Sequence, residues 1–600
     1  MKFFLSAFFA LCYHIAAFSQ LPVRYDVALD RIHHHEITVT LHLPALPERP
    51  VEIRMPQSSP GRYALHQFAK NVYEEAAFDE NGKPLAVQRK DPSTWLVSGH
   101  RGYVKFQYTL WANHGDGTYA GIDNRKLHLN MPAVFAYCPD VYDRPVELFF
   151  DLGQHPDWSV ATQLKPAGNG VYWAPDTYYF YDSPTMVGNI DYRRWPVQQG
   201  DQYLTIEAAL MHEGTPAEFD QYAEWMKKVV DTEKMIFGEL ASYDFGRYTF
   251  LLSYNPWIFG DGMEHRNSTV CSSKGNLAAN AKQLIGTVAH EFFHSWNVER
   301  LRPKSLEPFD FDQPNMSGEL WFAEGFTSYY DDLVLCRAGI TTPEEYLEGL
   351  GGMLNFVVNA PGRNLRGPIA MSHQAPFVDA ATSIDGNNNA NNFVSYYPYG
   401  AVVGLSLDLS LRNRFDTLSL DHYMRYLWQH YGKTEVPYQV PDLQQALAAV
   451  TGDPAFAANF FQKCVYGHEF PDLPLLFAGL GIDMVKQFPG ETDLDGLGLQ
   501  YKDSVAVALG NVNRNHSLYA AGLNPGDQIL SLNGRPIRSE ADWNAAVKGL
   551  KPGQSVPIKY RQNGLEYDSQ VTCKEDATWQ LRMKQGGEKT DRMRKGWLWR

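Results

Sequence analysis

Cysteine is scarce in this chain, with six in 600 residues and no Cys-x-x-Cys pair. That excludes the disulfide framework of a small secreted scaffold and also a zinc knuckle. A surplus of positive charge is missing too: 53 Lys and Arg stand against 68 Asp and Glu, a net charge of −15. A general nucleic-acid binder is therefore excluded. Beyond the first residues no apolar run is long enough to span a bilayer, and no solenoid period repeats along the chain. What is present is ordinary globular material, 44% hydrophobic and 20% charged. It is too long for one core, so about three or four domains are expected.

Residues 1–19 read as a secretory signal peptide, which predicts a periplasmic or extracellular protein. Lys2 gives the positive start, Phe3 to Leu11 the apolar run, and Ala17-Phe18-Ser19 a small-x-small cleavage site. Cys12 raises a lipoprotein anchor as an alternative, but no small residue directly precedes it. Cys138, Cys271, Cys336, Cys464 and Cys573 then remain, and spacing gives no pairing among them.

Residues 20–206 read as all-β. Alternating patterns at Tyr25–Leu29, Glu36–Leu43 and Gly102–Trp111, with turn signals such as Glu80-Asn81-Gly82, predict a β-sandwich. His33, His34 and His35 are consecutive, so on a strand they cannot converge on one ion. From Phe219 to Glu239 the period becomes helical. Arg247 to Ile258 reads as a buried strand leading into Gly260-Asp261-Gly262, where glycines let the backbone approach something closely. Helices fill most of the span to about Gly479. The stretch from Gly362 to Asn392, ending in an Asn-rich run, reads as irregular. The last twenty residues carry seven Lys and Arg against two acids, which predicts a solvated basic tail over 576–600.

The chemistry concentrates in His290-Glu291-Phe292-Phe293-His294. Residues i and i+4 share one face of a helix, so both imidazoles can reach one ion. Glu291 lies beside that ion without serving as a ligand, the place a zinc peptidase needs for its general base. Catalytic zinc takes three protein ligands and keeps one open position. Glu324, thirty residues after His294 in a second helix, is the candidate third ligand. Spacing alone leaves it equally an ordinary helix glutamate.

A separate module spans 496–575. Its string Ala521-Gly522-Leu523-Asn524-Pro525-Gly526-Asp527-Gln528-Ile529-Leu530-Ser531-Leu532-Asn533-Gly534 resembles a PDZ domain. Such modules bind extended peptides, often C-termini, by strand addition.

These pieces together resemble the glycyl aminopeptidase family of gluzincin zinc metallopeptidases, metallopeptidase family sixty-one. The resemblance rests on Ser59-Pro60-Gly61-Arg62-Tyr63, Asp182-Ser183-Pro184, HEFFHSWN with Arg300-Leu301-Arg302-Pro303, Leu320 to Gly325 with Tyr329-Tyr330, Val394 to Gly400, and the PDZ-like module. It implies a multidomain α+β protein: an N-terminal β-sandwich, a thermolysin-like catalytic domain with a helical part over 207–490, and the PDZ domain. It implies one zinc ion on His290, His294 and Glu324, with Glu291 as base. Tyr397 is the candidate phenol donor to the oxyanion, against the alternative of an aromatic packed at a helix start. In related gluzincin aminopeptidases a Gly-x-Met-Glu-Asn-like string pairs with substrate backbone, and its glutamate holds the free α-amine. Gly262, Met263, Glu264 and His265 take that place here, with histidine at the last position. Tyr399 is a departure, standing where relatives often carry lysine. The activity implied is removal of N-terminal glycine and alanine from peptides. The competing readings are an endopeptidase with the same zinc site and a non-catalytic peptide-binding scaffold.

Overall fold

The structure is a computed structural model describing residues 21–378, 386–415, 417–510 and 512–599. The expected signal peptide lies outside these residues. The N-terminal domain is β-rich. A seven-stranded mixed sheet starts from Val23–Ala28 and Glu36–Leu43 and is joined by a three-stranded and a four-stranded sheet. Alternate residues of these strands point inward, as the period of two requires. Tyr25, Val39, Ile53, Trp95 and Leu127 thus share one core. The consecutive histidines occupy a short 3-10 turn, Ile32–His34, rather than a strand, with His35 in the left-handed region. His33 and His34 are exposed, their rings in tilted contact, and His35 Nδ1 meets the Ile122 carbonyl.

The second domain begins earlier than residue 207. Strands Asp191–Gln199 and Gln202–His212 pair with each other, and the latter runs parallel to Arg247–Tyr254. All three belong to a five-stranded sheet completed by Ser268–Ser273 and, at its edge, Asp261–His265. Their β composition continues that of the preceding domain, so only hydrogen-bond partners reveal which sheet they serve. The helix Pro216–Phe237 starts on a capping box of Thr215 and Glu218 and stops at Gly238 with φ +90°. It packs with Leu277–Phe293 and Leu320–Arg337 into the largest hydrophobic core of the molecule. The helix Tyr396–Arg414 crosses Leu320–Arg337 at a pair of glycines. A Cβ on Gly400 would overlap the Trp321 carbonyl, and one on Gly325 would overlap Gly400. Only glycine permits this approach, and it sets Glu324 and Tyr397 on facing helices.

Part of the stretch read as irregular is helical: Pro368–Ser372, Ala375–Val378 and Gly386–Asn392. Asn391 is buried and accepts from the backbone N–H of Arg514 in the PDZ module.

The PDZ module has its own core, including Ile529, Leu532, Trp543 and Val556. It hangs on a two-stranded antiparallel ribbon of Ile482–Lys486 and Trp579–Met583. The expected solvated tail therefore requires correction. Residues 579–583 form the return strand, and Glu588–Leu598 is a helix whose Trp597 is fully buried in the largest core. The Lys and Arg count masked an apolar face made by Met593, Trp597 and Leu598. Cys138, Cys271, Cys336, Cys464 and Cys573 are all buried free thiols. No helix among the described residues is long and apolar enough to cross a membrane.

Candidate active site

His290 and Glu291 occupy the last turn of the helix Leu277–Phe293, and His294 is its C-cap. Glu324 comes from the second turn of Leu320–Arg337. The ligand atoms of His290, His294 and Glu324 lie within 4.8 Å of one another. Glu324 Oε2 is 3.5 Å from His290 Nε2 and 3.2 Å from His294 Nε2. Both imidazoles are held by their other nitrogen. His290 Nδ1 pairs with Asp331 Oδ2 at 3.0 Å, and His294 Nδ1 with the Asn297 carbonyl at 2.6 Å. Such partners fix ring orientation and leave Nε2 facing the centre. The Asn297 side chain donates to the carbonyls of Phe322 and Ala323 and to Thr327 Oγ1, joining the two ligand-bearing segments.

The electrostatics favour a cation. Burial drives the two imidazoles toward neutrality, yet both are held above their ordinary range. For His290 the largest opposing influences are hydrogen bonds to Asp331 and Glu324, and for His294 the charges of Glu324 and Glu264. Glu324, although buried, is held well below the usual carboxylate range by the two histidines. Burial pushes Glu291 up to about 8 against the same histidines, and its Oε2 has no hydrogen-bond partner. Two imidazoles, one carboxylate and a buried orphan carboxylate oxygen beside them fit zinc and its nitrogen and oxygen preferences.

The edge strand Asp261–His265 runs alongside this cluster. A Cβ at Gly262 would overlap Glu291 Oε1, so glycine lets the strand close on that carboxylate. The carboxylate of Glu264 lies within 4.8 Å of ligand atoms on Glu291 and His294. Met263 turns away and is buried in a small core with Leu251 and Val270. The His265 ring is buried too; its Nδ1 pairs with Asp182 Oδ1 at 2.8 Å and its Nε2 has no hydrogen-bond partner. A cavity of about 240 Å³ lined by Gly262, Ser272 and Thr287 runs between the edge strand and the HEFFH helix. Tyr397 lies over His290, ring centroids 6.0 Å apart and planes 27° from parallel. Tyr399, the departure from the family string, is buried against Phe470.

The sequence assigns no role to several residues at the site. Asp331 stands seven positions after Glu324, two helical turns along one face, and that spacing was the available signal. Asn297 follows His294 by three. Tyr63 comes from the N-terminal domain, its hydroxyl 3.5 Å from Glu324 Oε1. No local pattern announces a contact between such distant residues.

Residues 24–189 match the Peptidase M61 N-terminal domain, residues 283–403 the M61 glycyl aminopeptidase, and residues 478–573 a PDZ domain. An aminopeptidase N family protein from Idiomarina loihiensis is 25% identical and superposes with a TM-score of 0.82, covering 96% of this chain and 100% of that one. An M1 zinc metallopeptidase from Deinococcus radiodurans is 16% identical with a TM-score of 0.43, over 76% of this chain and 96% of that one. No curated protein matches the chain. These matches define an aminopeptidase, a hydrolase acting on peptide bonds. Its N-terminal and catalytic parts are similar to the M61 glycyl aminopeptidases.

Proposed function

We propose that the protein removes small N-terminal residues, glycine and alanine, from peptides, with one zinc ion on His290, His294 and Glu324. When bound, zinc supplies a Lewis acid that polarises the scissile carbonyl and makes a water acidic enough to ionise near neutral pH. Glu291 takes the proton from the attacking water and delivers it to the leaving amine. Its buried, partnerless oxygen supports that role. The Tyr397 phenol donates to the carbonyl oxygen as negative charge develops on it. Backbone groups of Gly262 to His265 align the substrate as an added strand, and Glu264 holds its α-ammonium group.

The observation that carries the exopeptidase reading is the position of Glu264. Glu264 is 8% exposed, and its carboxylate sits beside the catalytic cluster. The N-terminal domain closes the cleft there: Gly61 packs on Met263, and a Cβ on it would approach Glu264 Oε2 to 3.2 Å. A charged amine against a buried carboxylate is held strongly, whereas an acetylated one leaves that carboxylate unpaired. The family description supports glycine as a preferred first residue. The reading includes export by the signal peptide to the periplasm or outside, and capture of a peptide or a protein's C-terminus by the PDZ domain.

The test compares glycyl and alanyl reporters with their N-acetyl forms, with and without chelator, in wild type and Glu264→Ala. Free-amine substrates should be preferred about 30-fold or more, from ~2–4 kcal/mol of discrimination, and Glu264→Ala should lose that preference. Equal cleavage of blocked and free substrates by wild type makes the protein an endopeptidase.

A further inference from the structure

The edge strand that carries Glu264 is only five residues long and is paired on one side, to Ser268–Ser273. A short edge strand frays unless something else fixes it. Here the N-terminal domain grips it at both ends.

At the first end, the Arg62 guanidinium pairs with Asp261 Oδ1. Arg62 Nε donates to Thr118 Oγ1 at 2.8 Å, and the Gly117 N–H donates to Asp261 Oδ2 at 3.0 Å. At the other end, Asp182 uses both oxygens. Oδ1 meets His265 Nδ1 at 2.8 Å, and Oδ2 accepts the Arg266 backbone N–H at 2.9 Å. Both clamps are desolvated, with side-chain exposures of 11% and 18% for Arg62 and Asp261, and 1% and 13% for His265 and Asp182. Between them Gly61, at φ +73°, presses on Met263. The reaction chemistry proposed above uses neither Arg62 nor Asp182.

We propose that Arg62 and Asp182 are positioning residues for α-amine recognition, acting through the two ends of the strand that presents Glu264. This rests on the aminopeptidase reading above. The strand is pinned at Asp261 and His265, so Glu264, one residue from the second pin, keeps a fixed distance from His294 and Glu291. A displacement of about 1 Å in a binding group costs up to ~10²-fold. Buried, charge-assisted contacts resist such a displacement better than the strand's backbone ladder alone. Recognition of the substrate's N-terminus is therefore a joint property of the two domains.

The experiment uses the whole protein. Asp182→Ala and Arg62→Ala are assayed on glycyl and alanyl reporters and their N-acetyl forms, with zinc content and unfolding midpoint measured for each. Zinc should stay bound. KM for free-amine reporters should rise about tenfold or more, the free-over-acetylated preference should fall by a similar factor, and kcat should change far less. Asp182→Asn keeps an acceptor for the Arg266 N–H but loses the charge, so it should fall between Asp182→Ala and wild type. Should the alanine variants fail to fold, Asp182→Asn and Arg62→Lys carry the same readout. Unchanged preference alongside lowered stability would mean that the clamps are merely structural and overturn the proposal. Equal loss of kcat and kcat/KM on every substrate would overturn it as well. If wild type shows no preference for a free amine, the aminopeptidase reading fails first; if wild type shows it and every variant keeps it, the clamps alone fail.

Discussion

The indole N–H of Trp597 donates to the hydroxyl of Tyr329 at 2.8 Å, across the full breadth of the PDZ insertion. Tyr329 sits five residues after Glu324 on the same helix and donates in turn to Asp408 at 2.6 Å. Arg337, on that helix as well, donates to the Trp597 carbonyl at 2.9 Å. A segment beyond the PDZ module thus braces the helix that bears the candidate third ligand.

Two deletions should consequently behave differently. Truncation at about residue 487 removes Trp597 from a packed core. Loss of a buried tryptophan costs about 3–5 kcal/mol, so this variant should be poorly folded and lack zinc. Excising only 490–576 and joining the ribbon with a short turn should leave a folded enzyme active on small reporters, because the module has a core of its own. Soluble, zinc-loaded protein from the first cut would show that the brace is dispensable.

Asp331→Ala should weaken zinc binding by about 10- to 100-fold, because it releases the far side of the His290 ring. Competition with a chromogenic chelator measures this directly. Glu324→Ala should abolish binding, whereas Glu291→Gln should leave it intact.

The same Glu291→Gln variant should lose turnover by ~10² or more with its fold retained. Tyr397→Phe should lower kcat with little effect on KM, the signature of a group engaged only in the transition state. Gly262→Ala should also lower kcat, because the added methyl displaces the Glu291 carboxylate. Steady-state kinetics beside circular dichroism separate these outcomes from unfolding.

Acid should destabilise the N-terminal domain through two buried histidines. Burial pushes His128 and His66 from 6.5 down to about 4. Lys126 adds to the effect at His128, and Arg62 and Lys70 at His66. Between pH 6.5 and 4 the unfolded protein binds protons at these sites and the native one does not. Stability therefore rises with pH through that window and is lost as pH falls. Each imidazole should account for about 2–3 kcal/mol between pH 7.5 and 4.5, at 1.36 kcal/mol per pH unit. His128→Gln with His66→Gln should flatten the decline of the urea midpoint over this range. An unchanged slope would show that other groups dominate.

Local patterns made much of this molecule legible. HEFFH needs only helical spacing, and the PDZ string is a run of turn and strand residues whose meaning is contained within it. Glu324 could not be assigned from spacing, because a ligand role depends on where a second helix packs. The crossing at Gly325 and Gly400 decides that, and no single helix shows it. The strands Asp191–Gln199 and Gln202–His212 looked like more of the first domain because β patterning does not name the partner sheet. The basic tail misled in the opposite way. Its charges are frequent and its apolar residues few, yet Trp597 and Leu598 are buried in the core. Arg62 and Asp182 stand in two family strings that imply no role for them, since a grip across domains has no one-dimensional signature.

The ribbon of Ile482–Lys486 and Trp579–Met583 also fixes an order of assembly. During synthesis the helices through Leu473–Gly479 emerge first, then the PDZ module, and only afterwards the strand and helix that complete the peptidase core. Domains generally fold as units. The PDZ module can settle at once, whereas the proteolytic centre waits for a segment made after it. A chain ended just beyond the module would hold a complete PDZ core beside an unfinished catalytic core. The insertion therefore ties completion of the catalytic domain to passage of the whole module.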